Sequence, residues 1–112
     1  MVEYSLRLDS IFSSLADPIR RDILERAREV ELTVNEIASH YDISLAAVSK
    51  HLKILEAADL IRKRKQGRYN MVLTRSNQLE EASRYIKQYE VMWKERFDNL
   101  DEYLMEQENK HD

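Results

Sequence analysis

The chain has 112 residues, a formal net charge of −3, 43% hydrophobic and 35% charged residues, one Gly, one Pro and no Cys. That length supports one modest hydrophobic core and not two. The lack of Cys excludes disulfides, thiolate metal sites and cysteine nucleophiles. There is no apolar run of about eighteen residues and no charged-then-apolar leader, so a cytoplasmic protein with no membrane contact is expected.

With so little Gly and Pro, helices in tight succession are expected. In "LRLDSIFSSLA", Leu6 to Ala16, residues Leu8, Ile11, Phe12 and Leu15 recur at helical spacing and predict an amphipathic helix. Asp17 then caps a second helix with Pro18 at its first position, running to about Arg28 with Ile19, Ile23, Leu24 and Ala27 inward. A third helix starts at Thr33, with Glu36 closing a capping box and Leu32 stapled onto Ile37. Its apolar face is Val34, Ile37, Ala38 and Tyr41, and it ends at Asp42.

Ser44 caps the next helix, with Ile43 and Val48 as the staple. Where the third helix carries Glu36, this one carries Ala47. A carboxylate there would stabilise the helix start and repel a phosphate. Spacing places Leu45, Val48, Leu52 and Leu55 toward the core, and Ala46, Lys50, Lys53 and Ala57 on the far side with Ser49 on the flank. Two helices joined by a tight turn, the second with small uncharged residues at its start, make a helix-turn-helix whose second helix enters a major groove. On that reading Ser44, Ala46, Ala47, Ser49, Lys50 and Lys53 lie against the DNA.

From Leu60 the apolar period becomes two, and "LIRKRK", "QG", "RYNMVLT" reads as a hairpin with Gly67 in its turn and Tyr69, Met71 and Leu73 facing inward. Arg62, Arg64, Lys65, Gln66 and Arg68 crowd this hairpin and suit a wing on the phosphate backbone. The last segment, Asn77 to about Gln107, has no Gly or Pro. Its stripe of Leu79, Ala82, Ile86, Tyr89, Trp93, Phe97, Leu100 and Leu104 is wider than a small core can cover, so a second copy of the chain is expected to cover it.

The charge is unevenly distributed. Residues 44–75 hold 8 Lys+Arg against 2 Asp+Glu, net +6, while the flanking segments are net −4 and −5. Clustering of that kind costs self-repulsion, which a polyanionic partner such as double-stranded DNA relieves.

Three stretches, "LADPIRRDIL" (Leu15–Leu24), "AAVSKHLKILEAADLI" (Ala46–Ile61) and "RKQGRYNMVL" (Arg64–Leu73), resemble the arsenic-repressor (ArsR) family of bacterial winged helix-turn-helix regulators. The resemblance implies a mainly α fold with a small β-hairpin wing, in one domain comprising a helix-turn-helix at 33–58, a wing at 60–74 and a dimerisation helix at 77–107. It further implies a repressor that is a homodimer held by its first and last helices and bound to an operator. It places Ala46, Ala47, Ser49 and Lys50 near bases and makes residues 64–68 the wing. A dimer interface of Leu8, Ile11, Phe12, Tyr85, Tyr89, Trp93, Phe97, Leu100 and Leu104 follows from the same reading. Leu45 stands where the family often has a polar residue, and Asp59 where it usually has Gly.

The family's metal sensors carry two Cys in the region of Thr33 and Asn35, so that response is excluded here. A second family metal site uses His and carboxylates on the last helix, which here offers Asp98, Asp101 and Glu102 but no His before His111. Neither metal nor cofactor is expected. Glu36 and His40 share metal-ligand spacing, but Glu36 is already used as a cap, and His51 reads as a structural hydrogen-bonding residue. With no phosphate loop, no nucleophile beside a base and little loop, the chain is not expected to be an enzyme. Two other readings stay open: a protein-interaction module, and a sensor of an unidentified small-molecule effector using the aromatic last helix.

Overall fold

The computed structural model describes residues 2–110. His111 therefore lies outside the described residues. In chain order the elements are α1 (Val2–Leu15), α2 (Pro18–Arg26), β1 (Leu32–Thr33), α3 (Val34–Ala38), α4 (Leu45–Ala57), β2 (Ile61–Gln66), β3 (Tyr69–Thr74) and α5 (Asn77–Lys110). The chain divides into two units, one ending at Ala82 and one beginning at Ser83.

The first unit is built from capped helices. Asp17 Oδ1 accepts the N–H groups of Ile19 and Arg20 at 2.8 and 3.1 Å, with Pro18 opening α2 as the sequence predicts. Arg20 closes the preceding helix. Its guanidinium donates to the carbonyls of Ser14 and Ser13 at 2.8 and 3.1 Å, satisfying groups that a helix C-terminus leaves unpaired. A further donor of Arg20 lies 3.2 Å from His51 Nδ1, so His51 links α2 to α4 in the structural role expected of it.

α3 is shorter than its apolar pattern suggests. After Ala38 the N–H groups of His40 and Tyr41 bond three residues back, to Ile37 and Ala38, and this tightening stops the helix before Asp42. Tyr41 still packs against the core, and its hydroxyl donates to Asp22 Oδ2 at 2.5 Å, where Arg26 also donates at 2.7 Å.

That cluster has a pH signature. Burial first, then the bond to Asp22, push the Tyr41 phenol up to about 12. An unfolded tyrosine ionises near pH 10, so this contribution is complete below about pH 10 and is lost as pH rises toward about 12. Asp22 behaves oppositely. The bonds from Tyr41 and then Arg26 hold its carboxyl below the usual range, a contribution present above the unfolded carboxylate pKa and lost as pH falls through the lower folded value. Tyr41→Phe should cost about 1 kcal/mol at neutral pH and flatten the decline in stability between about pH 10 and 12. Urea unfolding of both proteins across that range measures it, and parallel curves would contradict it.

The hairpin belongs to a three-stranded antiparallel sheet of order β1-β3-β2. The two-residue β1 pairs Leu32 with Val72 and Thr33 with Met71. This placement corrects the expected inward face of the hairpin. Tyr69 is 51% exposed, Met71 and Leu73 are partly buried, and fully buried Val72 points into the core from the opposite face. Thr74 shares that inward face, and its hydroxyl donates to the Leu24 carbonyl at 2.7 Å while its N–H donates to the Ala27 carbonyl at 3.0 Å. The inward polar residue thus serves the last turn of α2.

The α4–β2 connection is a Schellman arrangement. The Leu60 N–H bonds the Leu55 carbonyl and the Asp59 N–H bonds that of Glu56, with Asp59 at φ 58°. A left-handed residue here explains the family's preference for Gly at this position. Asp tolerates this conformation better than most residues and is also held by Arg75 at 2.7 Å.

Leu8 and Ile11 are buried, at 7% and 1% exposure, and Phe12 packs against the core cluster. The chain itself thus covers Leu8 and Ile11, two of the residues expected at a dimer interface. Among the described residues the second unit consists of α5 from Ser83 onward, where Ile86, Tyr89, Trp93, Phe97, Leu100 and Leu104 are all exposed. Trp93 and Phe97 lie tilted against each other with ring centroids 6.0 Å apart, and Tyr85 and Tyr89 meet edge to face at 5.3 Å.

Candidate nucleic-acid interface

The starts of α3 and α4 differ as their sequences do. The Thr33 hydroxyl accepts the Glu36 N–H at 3.0 Å and donates to the Glu36 carboxylate at 3.1 Å, so an acid sits on that helix start. The Ser44 hydroxyl accepts the Ala47 N–H at 3.1 Å, and the first turn of α4 carries no acid. Its positive end is uncompensated by any side chain of that turn. Val48, Leu52 and Leu55 anchor α4 in the core, Ala46, Lys50 and Lys53 are exposed, and Ala47 and Ser49 are partly exposed.

Leu45 departs from expectation. Placed inward by its spacing, it is 53% exposed. It is the first residue of α4, and the facing core ends one turn later, at Val48. Helical periodicity gives the direction of a side chain and not whether anything lies opposite it.

In the hairpin, Gly67 at φ 61° forms the turn with Arg68, joining the paired residues Gln66 and Tyr69. Nothing lies within 4 Å of where a Cβ would stand, so conformation and not space calls for glycine. The pleat divides the run of four cations. Lys63 lies opposite inward Val72, while Arg62 and Arg64 lie opposite Leu73 and Met71 on the other face.

Pairing divides the cations further. Arg64 closes its fork on Glu31 at 2.7 and 3.0 Å and also reaches Gln66 Oε1 at 3.1 Å. Lys63 lies 3.8 Å from Glu56, and Arg75 is held by Asp59. Both acids of residues 44–75 are thereby used locally. Among the described residues Lys50, Lys53, Arg62, Lys65 and Arg68 make no ion pair; Arg68 lies over the Tyr69 ring at 5.7 Å.

One groove brings three elements together: Thr33, Val34 and Asn35 from the start of α3, Leu45 and Ser49 from α4, and Arg68, Tyr69 and Asn70 from the hairpin. Arg62 and Arg64 border a separate depression with Glu31 and Leu73. The expected site residues therefore do not form a single cluster. Thr33, Val34, Asn35, Leu45, Tyr69 and Asn70 are the groove residues that sequence reasoning did not place at the DNA. Only Leu45 carried a sequence signal, its place directly after the cap.

A helix-turn-helix whose second helix starts bare of acid, beside a cation-tipped hairpin, defines a winged helix-turn-helix DNA-binding protein. Residues 15–64 match the model of a helix-turn-helix domain. The transcriptional repressor SdpR of Bacillus subtilis (strain 168) is 34% identical over 62 residues, 55% of this chain and 69% of SdpR. The uncharacterized HTH-type transcriptional regulator YuzN of the same organism is 35% identical over 79 residues, 64% of this chain and 86% of YuzN. A crystal structure of an ArsR family transcriptional regulator matches with a TM-score of 0.75 at 31% identity, covering 80% of this chain and 93% of that one. The chain belongs to the ArsR family of transcriptional regulators, a DNA-binding family and not an enzyme class. Among the described residues, no helix is long and apolar enough to cross a membrane.

Proposed function

We propose that the protein is a cytoplasmic homodimeric repressor that seats a short, roughly palindromic operator against the first turns of α4 and the tip of the wing. The observation that carries this reading is the shared groove, in which Ser49 of the helix whose first turn carries no acid and the wing-tip Arg68 line one depression. Ala46 and Ala47 keep the helix surface low enough for base edges to approach. Ser44, Ser49, Lys50 and Lys53 reach bases or phosphates, and Arg62, Lys65, Gln66 and Arg68 contact the backbone. Arg64 serves mainly to fasten the wing to Glu31. Residues 33–58 then read the site, 60–74 form the wing and 77–107 the dimerisation helix.

The dimer rests on the exposed stripe of α5, which two copies would cover by two-fold pairing. Its rows at 86, 93 and 100 and at 97 and 104 repeat every seven residues, as in coiled coils. A small-molecule effector in the depression found on α5 would compete with dimerisation, since Ile86, Tyr89, Trp93 and Phe97 would line both that depression and the dimer seam. Repression is supported by the name of the relative SdpR.

Selection of bound fragments from random and genomic DNA tests the reading. An inverted repeat with half-sites about 34 Å apart is expected, and recovery of no common sequence would contradict it. On the selected site Lys50→Ala should cost about 1–3 kcal/mol if its ammonium reads a base. An equal loss on scrambled DNA of the same length would reassign Lys50 to phosphate.

A further inference from the structure

We infer that Leu45 is a specificity-determining residue, reading the 5-methyl group of a thymine in the operator. The inference rests on the DNA-binding reading above and deepens it. Leu45 is 53% exposed and is not among the apolar residues packed against the core cluster, so its side chain is not retained for folding. It follows the Ser44 cap directly, in a turn otherwise made of small residues, where a leucine stands proud of the helix surface.

Its surroundings point to a duplex. Leu45 shares the groove with Ser49, one helical turn further on, and with Asn35, Arg68 and Tyr69 across from it. Arg68 makes no ion pair among the described residues. An apolar side chain set beside such a cation meets a polyanion whose contact surface is mostly polar. In the major groove the one apolar group on a base edge is the thymine methyl. Opposite any other base edge, Leu45 would cover a donor or acceptor without pairing it, which disfavours those bases.

Replacing thymine by deoxyuridine removes that methyl and leaves base pairing intact. The test uses the site selected by the wild-type protein, with each thymine replaced singly by deoxyuridine, and the wild-type, Leu45→Ala and Leu45→Met proteins. At one thymine per half-site the wild type should lose roughly 3- to 10-fold in affinity on the deoxyuridine duplex, the scale of one buried methyl. Leu45→Ala should bind the two duplexes equally, and Leu45→Met should retain part of the discrimination. Leu45 is exposed and Ala is the better helix former, so melting temperatures should hold; should the Ala variant fail to fold, the comparison of wild type with Leu45→Met still decides. No deoxyuridine effect in the wild type, or an equal effect in the Leu45 variants, would overturn the inference. Failure of the DNA-binding reading is distinguishable, because the wild type would then select no site.

Discussion

Raising monovalent salt from about 50 to 200 mM should weaken operator binding by roughly 10³-fold or more, the scale for six to ten neutralised phosphates. The unpaired cations Lys50, Lys53, Arg62, Lys65 and Arg68, doubled in a dimer, supply that number of phosphate partners. The local ion pairs make the prediction specific to residues. Lys65→Ala or Arg68→Ala should lower the salt slope by about one for each phosphate left without its cation. Lys63→Ala and Arg64→Ala should lower it less, since those charges are already met by Glu56 and Glu31. Binding isotherms at several salt concentrations separate the two groups. Equal slopes for all four variants would show that pairing within the wing has no bearing on binding.

Phe97→Glu should separate the proposed dimer. Phe97 is 59% exposed in the single chain and lies against Trp93 in the middle of the α5 stripe. Truncation of a central aromatic at an interface typically costs about 2–4 kcal/mol, and a carboxylate buried there adds desolvation. A loss of at least about 100-fold in dimer affinity follows, readable by sedimentation. Operator affinity should fall with it, because one chain then holds only one half-site. The fold of residues up to Ala82 is a separate unit, so its melting should change little. Sedimentation identical to wild type would remove α5 from the interface.

Much of this molecule is legible in its residues because local chemistry is short-ranged. Asp17 before Pro18, Thr33 with Glu36, Ser44 with Ala47, and Gly67 in its turn each act within four residues, and each is found in its expected place. What stays hidden depends on distant partners. β1 has two residues, too few for a period, and exists because β3 lies beside it. The inward face of β3 is misleading in sequence because Tyr69, Met71 and Leu73 outweigh Val72 in apolar bulk. Thr74, the polar residue on the true inward face, is explained only by the carbonyls of α2. Leu45 has the direction of a core residue and no core in front of it. Likewise, "RKRK" reads as one charge block until the pleat and Glu31 divide it.

Amide chemical-shift mapping of the labelled protein, titrated with its selected duplex and with a scrambled one, tests the account most directly. The largest changes should fall in residues 44–53 and 62–70, with the scrambled duplex moving the wing and leaving the start of α4 less affected. Shifts confined to α5, or scattered over α1 and α2 with residues 44–53 unmoved, would contradict it.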